Sequence, residues 1–176
     1  MLLLEILKYP DPFLKTKASE VKSVESEVKT LIASMIETMY LAKGIGLAAV
    51  QVGVAKRVIV LDVPDENVEE RQKGKNLVAL VNPVIVKAEG ETKYEEGCLS
   101  VPGITADVMR ASTVAVRALD REGSPIQIEA TGLFAIALQH EIDHLDGVLF
   151  IDRLSRLKRE IVKRKLKKAF EAERAL

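Results

Sequence analysis

The sequence predicts an α+β fold in one domain: antiparallel sheets packed around a central helix able to bind a metal, closed by a C-terminal helix. Three observations lead there. Segments with helical spacing bracket the chain, and the stretch between them is broken into β-branched runs separated by turn residues. A length of 176 residues, 48% hydrophobic and 30% charged, suits a single core with a solvated surface.

Residues 26–42, SEVKTLIASMIETMYLA, set Val28, Leu31, Ile32, Met35 and Met39 three or four apart, on one helical face, with Ser26 as the expected N-cap. The helix should end at KGIGLAA, where two glycines favour a loop. VAKRVIVLDV (54–63) then reads as a strand, because β-branched side chains pack well on a pleated surface. DENVEERQKGKN (65–76) is too polar to bury and is expected as an exposed loop. LVALVNPVIVKAEG (77–90) gives strand-like runs around Pro83, and STVAVRALDREGSPIQIEA (112–130) reads as two strands joined at Arg121–Gly123. GLFAIALQHEIDHLDG (132–147) returns to helical spacing: Leu133, Ile136, Ala137, His140 and His144 share a face, and Gly147 is a natural stop. The tail sets Leu154, Leu157, Ile161, Val162 and Leu166 along one side of a basic helix.

The net charge of zero hides an asymmetry. Residues 153–176 carry ten Lys/Arg against three Asp/Glu, and residues 1–152 carry 16 against 23, so a basic tail follows an acidic body. Anionic partners of the tail follow as a possibility to test, nucleic acid included. The apolar start, MLLLEILK, is interrupted by Glu5 and Lys8 with no basic segment before it, and reads poorly as a signal peptide. No stretch approaches the roughly 20 apolar residues of a membrane span. No membrane partner is therefore expected, and the cytoplasm is the expected location. Cys98 is the only cysteine, so an intrachain disulfide is excluded and its thiol is packing, a nucleophile or a metal ligand.

The only two histidines stand four apart in HEIDH. One helical turn places both imidazoles on one face, where they can share an ion, while Glu141 points about 100° around the helix from His140. Spending both histidines on an otherwise apolar helix argues against chance, since buried imidazoles need partners. A catalytic centre needs a third protein ligand and an open position. With no other histidine available, that ligand is a carboxylate or Cys98, which lies in EEGCLSVPG among glycines suited to close backbone approach. Gly44, Gly46 and Ala49 fit G-x-G-x-x-A, but here the motif follows a helix and precedes a strand. A pyrophosphate site needs the reverse order, so no nucleotide cofactor is expected.

GIGLAAVQ (44–51), EGCLS (96–100) and QHEIDH (139–144) resemble the three signature motifs of the peptide deformylase family, in the family's order and approximate spacing. ILKYPDPFL and GVLFIDRLS extend the likeness over about residues 4–155, while ITADVMRAS (104–112) departs from some members. The resemblance implies a metal-dependent hydrolase that removes the formyl group from N-formylmethionyl nascent peptides in a bacterial or bacterial-like translation system. It implies Cys98, His140 and His144 as ligands of one divalent ion, Fe(II), with Zn(II), Ni(II) or Co(II) able to substitute. Glu141 would be the general base and then acid, and the Gln51 amide and Leu99 N–H would stabilise the oxyanion. Gly46 would let a peptide lie against the backbone. Leu133, Ile136 and Ala137, on the histidine side of the helix, would form a methionine pocket with Ile45 and Leu99. Residues 1–152 would be the catalytic body, and 153–176 a basic amphipathic helix packed on it or extending from it. That tail reads either as a solvated helix or as an electrostatic contact to the ribosome. An HExxH endopeptidase or a protein with a purely structural metal would use the same helix, but the first takes its third ligand downstream and the second needs a fourth.

Overall fold

A computed structural model describes residues 2–66 and 72–175. Among them are three α-helices, α1 (Ser26–Leu41), α2 (Gly132–Leu145) and α3 (Arg156–Arg174). The strands are β1 (Gly46–Ala48), β2 (Val58–Asp62), β3 (Leu77–Glu89), β4 (Thr92–Cys98), β5 (Val101–Arg110), β6 (Thr113–Leu119) and β7 (Pro125–Thr131). One sheet runs β1-β2-β3-β6-β7 and a second is the β4-β5 hairpin, with every pairing antiparallel. The expected α+β architecture is present. No described helix is long and apolar enough to cross a membrane.

The five-stranded sheet is covered on both faces, and β2 shows how. Alternate residues of a strand point to opposite faces. Ile59 and Leu61 therefore pack with Leu138, Ile142 and Leu145 of α2, while Val58 and Val60 pack with Ile32, Met35 and Met39 of α1. All five residues of β2 are buried, and the first four form a continuous apolar run rather than an alternation. Each fully buried aliphatic side chain here contributes roughly 1.5–3 kcal/mol.

Three expectations need correction. The N-cap of α1 is Glu25, not Ser26, and makes no side-chain cap hydrogen bond. The stretch expected as a loop at GIGLAA instead contains edge strand β1, whose Gly46 pairs with Leu61. In α3, Leu166 is buried and Val162 packs against it, but Leu157 and Ile161 are 73% and 45% exposed, so only part of the apolar stripe is docked. Of the loop expected at 65–76, residues 67–71 lie outside the described residues.

β3 passes through Pro83 at a bulge, where a missing ladder N–H does no harm. Asn82, at φ 53°, spends its side chain on the N-terminal segment, accepting from Val21 N–H and donating to Val21 carbonyl, both at 2.8 Å. α2 ends in a Schellman motif: Val148 N–H donates to the Asp143 carbonyl and Gly147 N–H to that of His144, with Gly147 at φ 72°. The extended N-terminal segment crosses the molecule as well. Leu7 N–H donates to the Gln51 carbonyl and Tyr9 N–H to the Ser100 carbonyl, each at 2.8 Å.

Candidate active site

Three pieces of chain converge at the buried face of α2. A two-residue connection, Leu99-Ser100, turns β4 into β5 and puts Cys98 at the hairpin tip, paired with Val101. Edge strand β1 and the 3-10 turn after it (Ala49–Val52) bring Gly46 and Gln51. Helix α2 brings His140, Glu141 and His144, all buried. Gln139 of the same helix fixes its orientation to the hairpin side. Its amide donates to the Ala111 carbonyl at 2.9 Å, and its oxygen accepts from Ala111 N–H at 3.0 Å.

Cys98 Sγ lies 3.3 Å from His144 Nε2, which lies 3.2 Å from His140 Nε2, and donor atoms of the three residues all fall within 4.8 Å of one another. The chemistry of this set fits a divalent ion. His140 Nδ1 faces the Glu96 carboxylate at 2.8 Å, so the proton on that nitrogen is held by Glu96 and the Nε2 lone pair is left facing the thiol and the other imidazole. One sulfur and two imidazole nitrogens gathered this closely are a donor set that a borderline divalent ion takes. One side is left open, since a cavity of about 470 Å³ is lined by Cys98, His140 and Glu141. A closed structural site would lack such an opening.

Electrostatics separate the groups. Burial alone would raise the Glu96 carboxyl, but bonds from Arg110 and His140 hold it down to about 2. Burial disfavours charge on His140, yet its hydrogen bonds to Cys98 and Glu96 push its pKa well above the ordinary value. For His144 burial and the neighbouring His140 charge act together and push it well below. Burial raises Glu141 to about 7, within the range of a proton carrier at physiological pH. Its Oε2 has no hydrogen-bond partner among the described residues.

Glycine at position 46 has a sharper reason than the one expected from sequence. An ideal β-carbon there would stand 2.5 Å from Glu141 Oε1, so the absent side chain makes room for this carboxylate. At Gly44 the same construction meets Leu99 Cδ1 at 2.7 Å. Gln51 is buried, and its oxygen accepts from Ala48 N–H at 2.9 Å. Its amide nitrogen donates to Ser100 Oγ at 3.1 Å and lies 3.6 Å from Cys98 Sγ. The residues expected around a substrate, Ile45, Gly46, Leu99, Leu133, Ile136 and Ala137, all line the 470 Å³ cavity. Gln51 reaches it too, while His144 lies behind it, fully buried.

Sequence reasoning missed the groups behind the candidate ligands. Arg110, almost wholly buried, grips Glu96 through Nε at 2.7 Å and Nη2 at 2.9 Å, and reaches Asp143 through Nη1 at 2.6 Å. Phe150 packs its ring 6.2 Å from that of His140 at 26°. The available signal was the arginine in ITADVMRAS, a charge inside a strand-like stretch.

An HExxH helix laid on an antiparallel sheet, with a thiol from a neighbouring hairpin as a third donor and a carboxylate beside it, is an arrangement of the metallo-hydrolase class. Comparison with known proteins narrows the class to a family. The profile described as "Polypeptide deformylase" matches residues 3–160. A peptide deformylase of Thermodesulfovibrio yellowstonii is 54% identical over 167 residues, 95% of this chain and 98% of that protein. One from Neisseria meningitidis serogroup B is 52% identical over 168 residues, 96% of each. The crystal structure of a peptide deformylase from Legionella pneumophila superposes with a TM-score of 0.87 at 46% identity, covering 99% of this chain and 98% of that one. That of Ehrlichia chaffeensis in complex with actinonin gives 0.88 at 42%, covering 96% and 98%. The chain belongs to the polypeptide deformylase family, and it is an enzyme, a hydrolase.

Proposed function

We propose that this enzyme removes the formyl group from the N-terminal methionine of newly made polypeptides, releasing formate, with Cys98, His140 and His144 holding one divalent ion. The observation that carries this reading is the convergence of Cys98 Sγ with the two Nε2 atoms beside the buried carboxylate of Glu141. Family membership supplies the substrate class. One thiolate with two imidazoles suits Fe(II), which we take as the working ion, and also Zn(II).

When bound, the ion supplies Lewis-acid activation of a water near neutral pH. Glu141 would take a proton from the water that attacks the formyl carbon, and burial raises its carboxyl to about 7, near the working pH of a group that both accepts and returns a proton. The amide of Gln51 and the backbone N–H of Leu99 donate to the oxyanion, and losing one such donor costs about 3–4 kcal/mol of transition-state stabilisation. Glu141 then passes its proton to the leaving amine, so formate and a free amino terminus result. The methionine side chain lies among Ile45, Leu99, Leu133, Ile136 and Ala137, where the small Ala137 leaves room for an unbranched chain.

In this reading the chain up to residue 152 is the catalytic body, and the basic segment that follows, with α3 at Arg156–Arg174, meets the ribosome in the cytoplasm. The excess of ten basic over three acidic residues supports an anionic partner.

The test is anaerobic purification with Fe(II), then assay of formyl-Met-Ala-Ser with wild type, Cys98→Ser and Glu141→Ala. Formate release by wild type, reduced metal content in Cys98→Ser, and retained metal with lost turnover in Glu141→Ala are expected. Undiminished turnover in Glu141→Ala refutes the assigned base. Cleavage of internal peptide bonds without formate would move the reading to an endopeptidase.

A further inference from the structure

We propose that Arg153, outside the catalytic cavity, is a positioning residue for His140, acting through Asp143, Arg110 and Glu96. The proposal rests on the assignment of His140 as a metal ligand. Four side chains of alternating charge run inward from the surface to His140. Arg153 donates to Asp143 Oδ2 through Nε and to Oδ1 through a terminal nitrogen, both at 2.6 Å. Asp143 Oδ2 also accepts from Arg110 Nη1 at 2.6 Å, Arg110 forks onto Glu96, and Glu96 holds His140 Nδ1 at 2.8 Å. Exposure drops from 44% at Arg153 and 13% at Asp143 to 2% at Arg110, and stays low at Glu96 (4%) and His140 (10%).

The consequence is electrostatic. Two guanidinium groups face two carboxylates in a poorly screened place. Because Arg153 takes both oxygens of Asp143, Arg110 is free to give its Nε–Nη2 edge to Glu96 in bidentate geometry. Without Arg153, Asp143 draws on Arg110 alone and competes with Glu96 for it. The Glu96 carboxylate then loses its fixed angle, and the His140 ring it orients loses its aim. The same short turn, Phe150–Arg153, also supplies the Phe150 ring packed beside His140. The turn therefore supports this imidazole twice, once by packing and once by charge.

The test uses full-length protein loaded with Zn(II), titrated against a fluorescent chelator, together with the visible spectrum of the Co(II)-substituted protein. Groups bonded directly to a metal ligand typically alter affinity about 10–100-fold, and Arg153 acts at three removes from Glu96's position beside the ligand, so Arg153→Ala should weaken Zn(II) binding about 3–10-fold. The Co(II) bands should shift with it. Arg153→Lys should recover only part of the loss, because an ammonium offers no fork. In an Asp143→Asn background, Arg153→Ala should add nothing. Wild-type Zn(II) affinity and an unmoved Co(II) spectrum in Arg153→Ala would overturn the proposal, even if the melting temperature fell. So would an undiminished effect in the Asp143→Asn background. Failure of the wild type to bind any metal would instead overturn the ligand assignment itself, and this proposal with it.

Discussion

The carboxylate of Glu141 occupies the space where a side chain on Gly46 would begin. An ideal β-carbon at that position would stand 2.5 Å from Oε1 and 2.9 Å from the carboxyl carbon. Gly46→Ala should therefore swing Glu141 away without touching the three candidate ligands. A displacement of about 1 Å at a reacting group can cost about 100-fold in rate, so kcat/KM on a formyl-methionyl peptide should fall by that order while bound metal per chain stays at the wild-type value. Full activity in the alanine variant would show that Glu141 needs no such room.

Glu96 makes the native state sensitive to acid. Its folded pKa of about 2 lies below the ordinary 4.5, so the stabilisation it supplies is present above about pH 4.5 and disappears as pH falls towards 2. The difference corresponds to about 3 kcal/mol. Urea unfolding of metal-stripped wild type and Glu96→Gln between pH 7 and pH 3 should show a shallower pH dependence in the variant. Parallel curves for the two proteins would count against the assignment.

Leu166 is the buried anchor of α3. Leu166→Ala leaves a hole beside Leu14, Val108 and Leu154 and should cost about 2–4 kcal/mol. In a chain of this length that is a fall of roughly 5–15 °C in Tm. Turnover of a short formyl peptide at low temperature should not change, since the helix does not line the catalytic cavity.

A charge-reversing variant separates docking from folding better than truncation, which would remove Leu166 too. Lys163, Lys167 and Lys168 all belong to α3, outside its buried residue. Replacing all three by Glu should abolish co-sedimentation with ribosomes at low salt, while wild-type binding weakens steeply as salt rises. Equal binding by both forms would defeat the idea that this helix docks on the ribosome.

The sequence made the helices legible through their spacing, His140, His144 and Cys98 through the scarcity of histidine and cysteine, and Glu141 through its place in HEIDH. Hairpin β4-β5 was hidden for a physical reason. Glu96 shares a face with Val108 and Arg110, and all three are buried, so the inward side of the hairpin includes two charges. Met109, meanwhile, points outward at 54% exposure. A period-2 reading looks for apolar residues inside and polar ones outside, and here the two are exchanged. The same exchange conceals Glu96 and Arg110, whose value lies in a contact that only the hairpin register creates. Gly46 was legible as a glycine motif, but its neighbour is a side chain from a helix about 95 residues downstream.

The backbone bonds from Leu7 to Gln51 and from Tyr9 to Ser100 give the amino-terminal strap a task out of proportion to its length. Gln51 and Ser100 belong to different parts of the fold, and this strap is bonded to both, like a clasp across two halves of a case. The bond from Tyr9 reaches Ser100 only where the β4-β5 turn has placed it. An affinity tag or a trimmed start that disturbs residues 7–9 would therefore leave every proposed catalytic group present while loosening the distance between them.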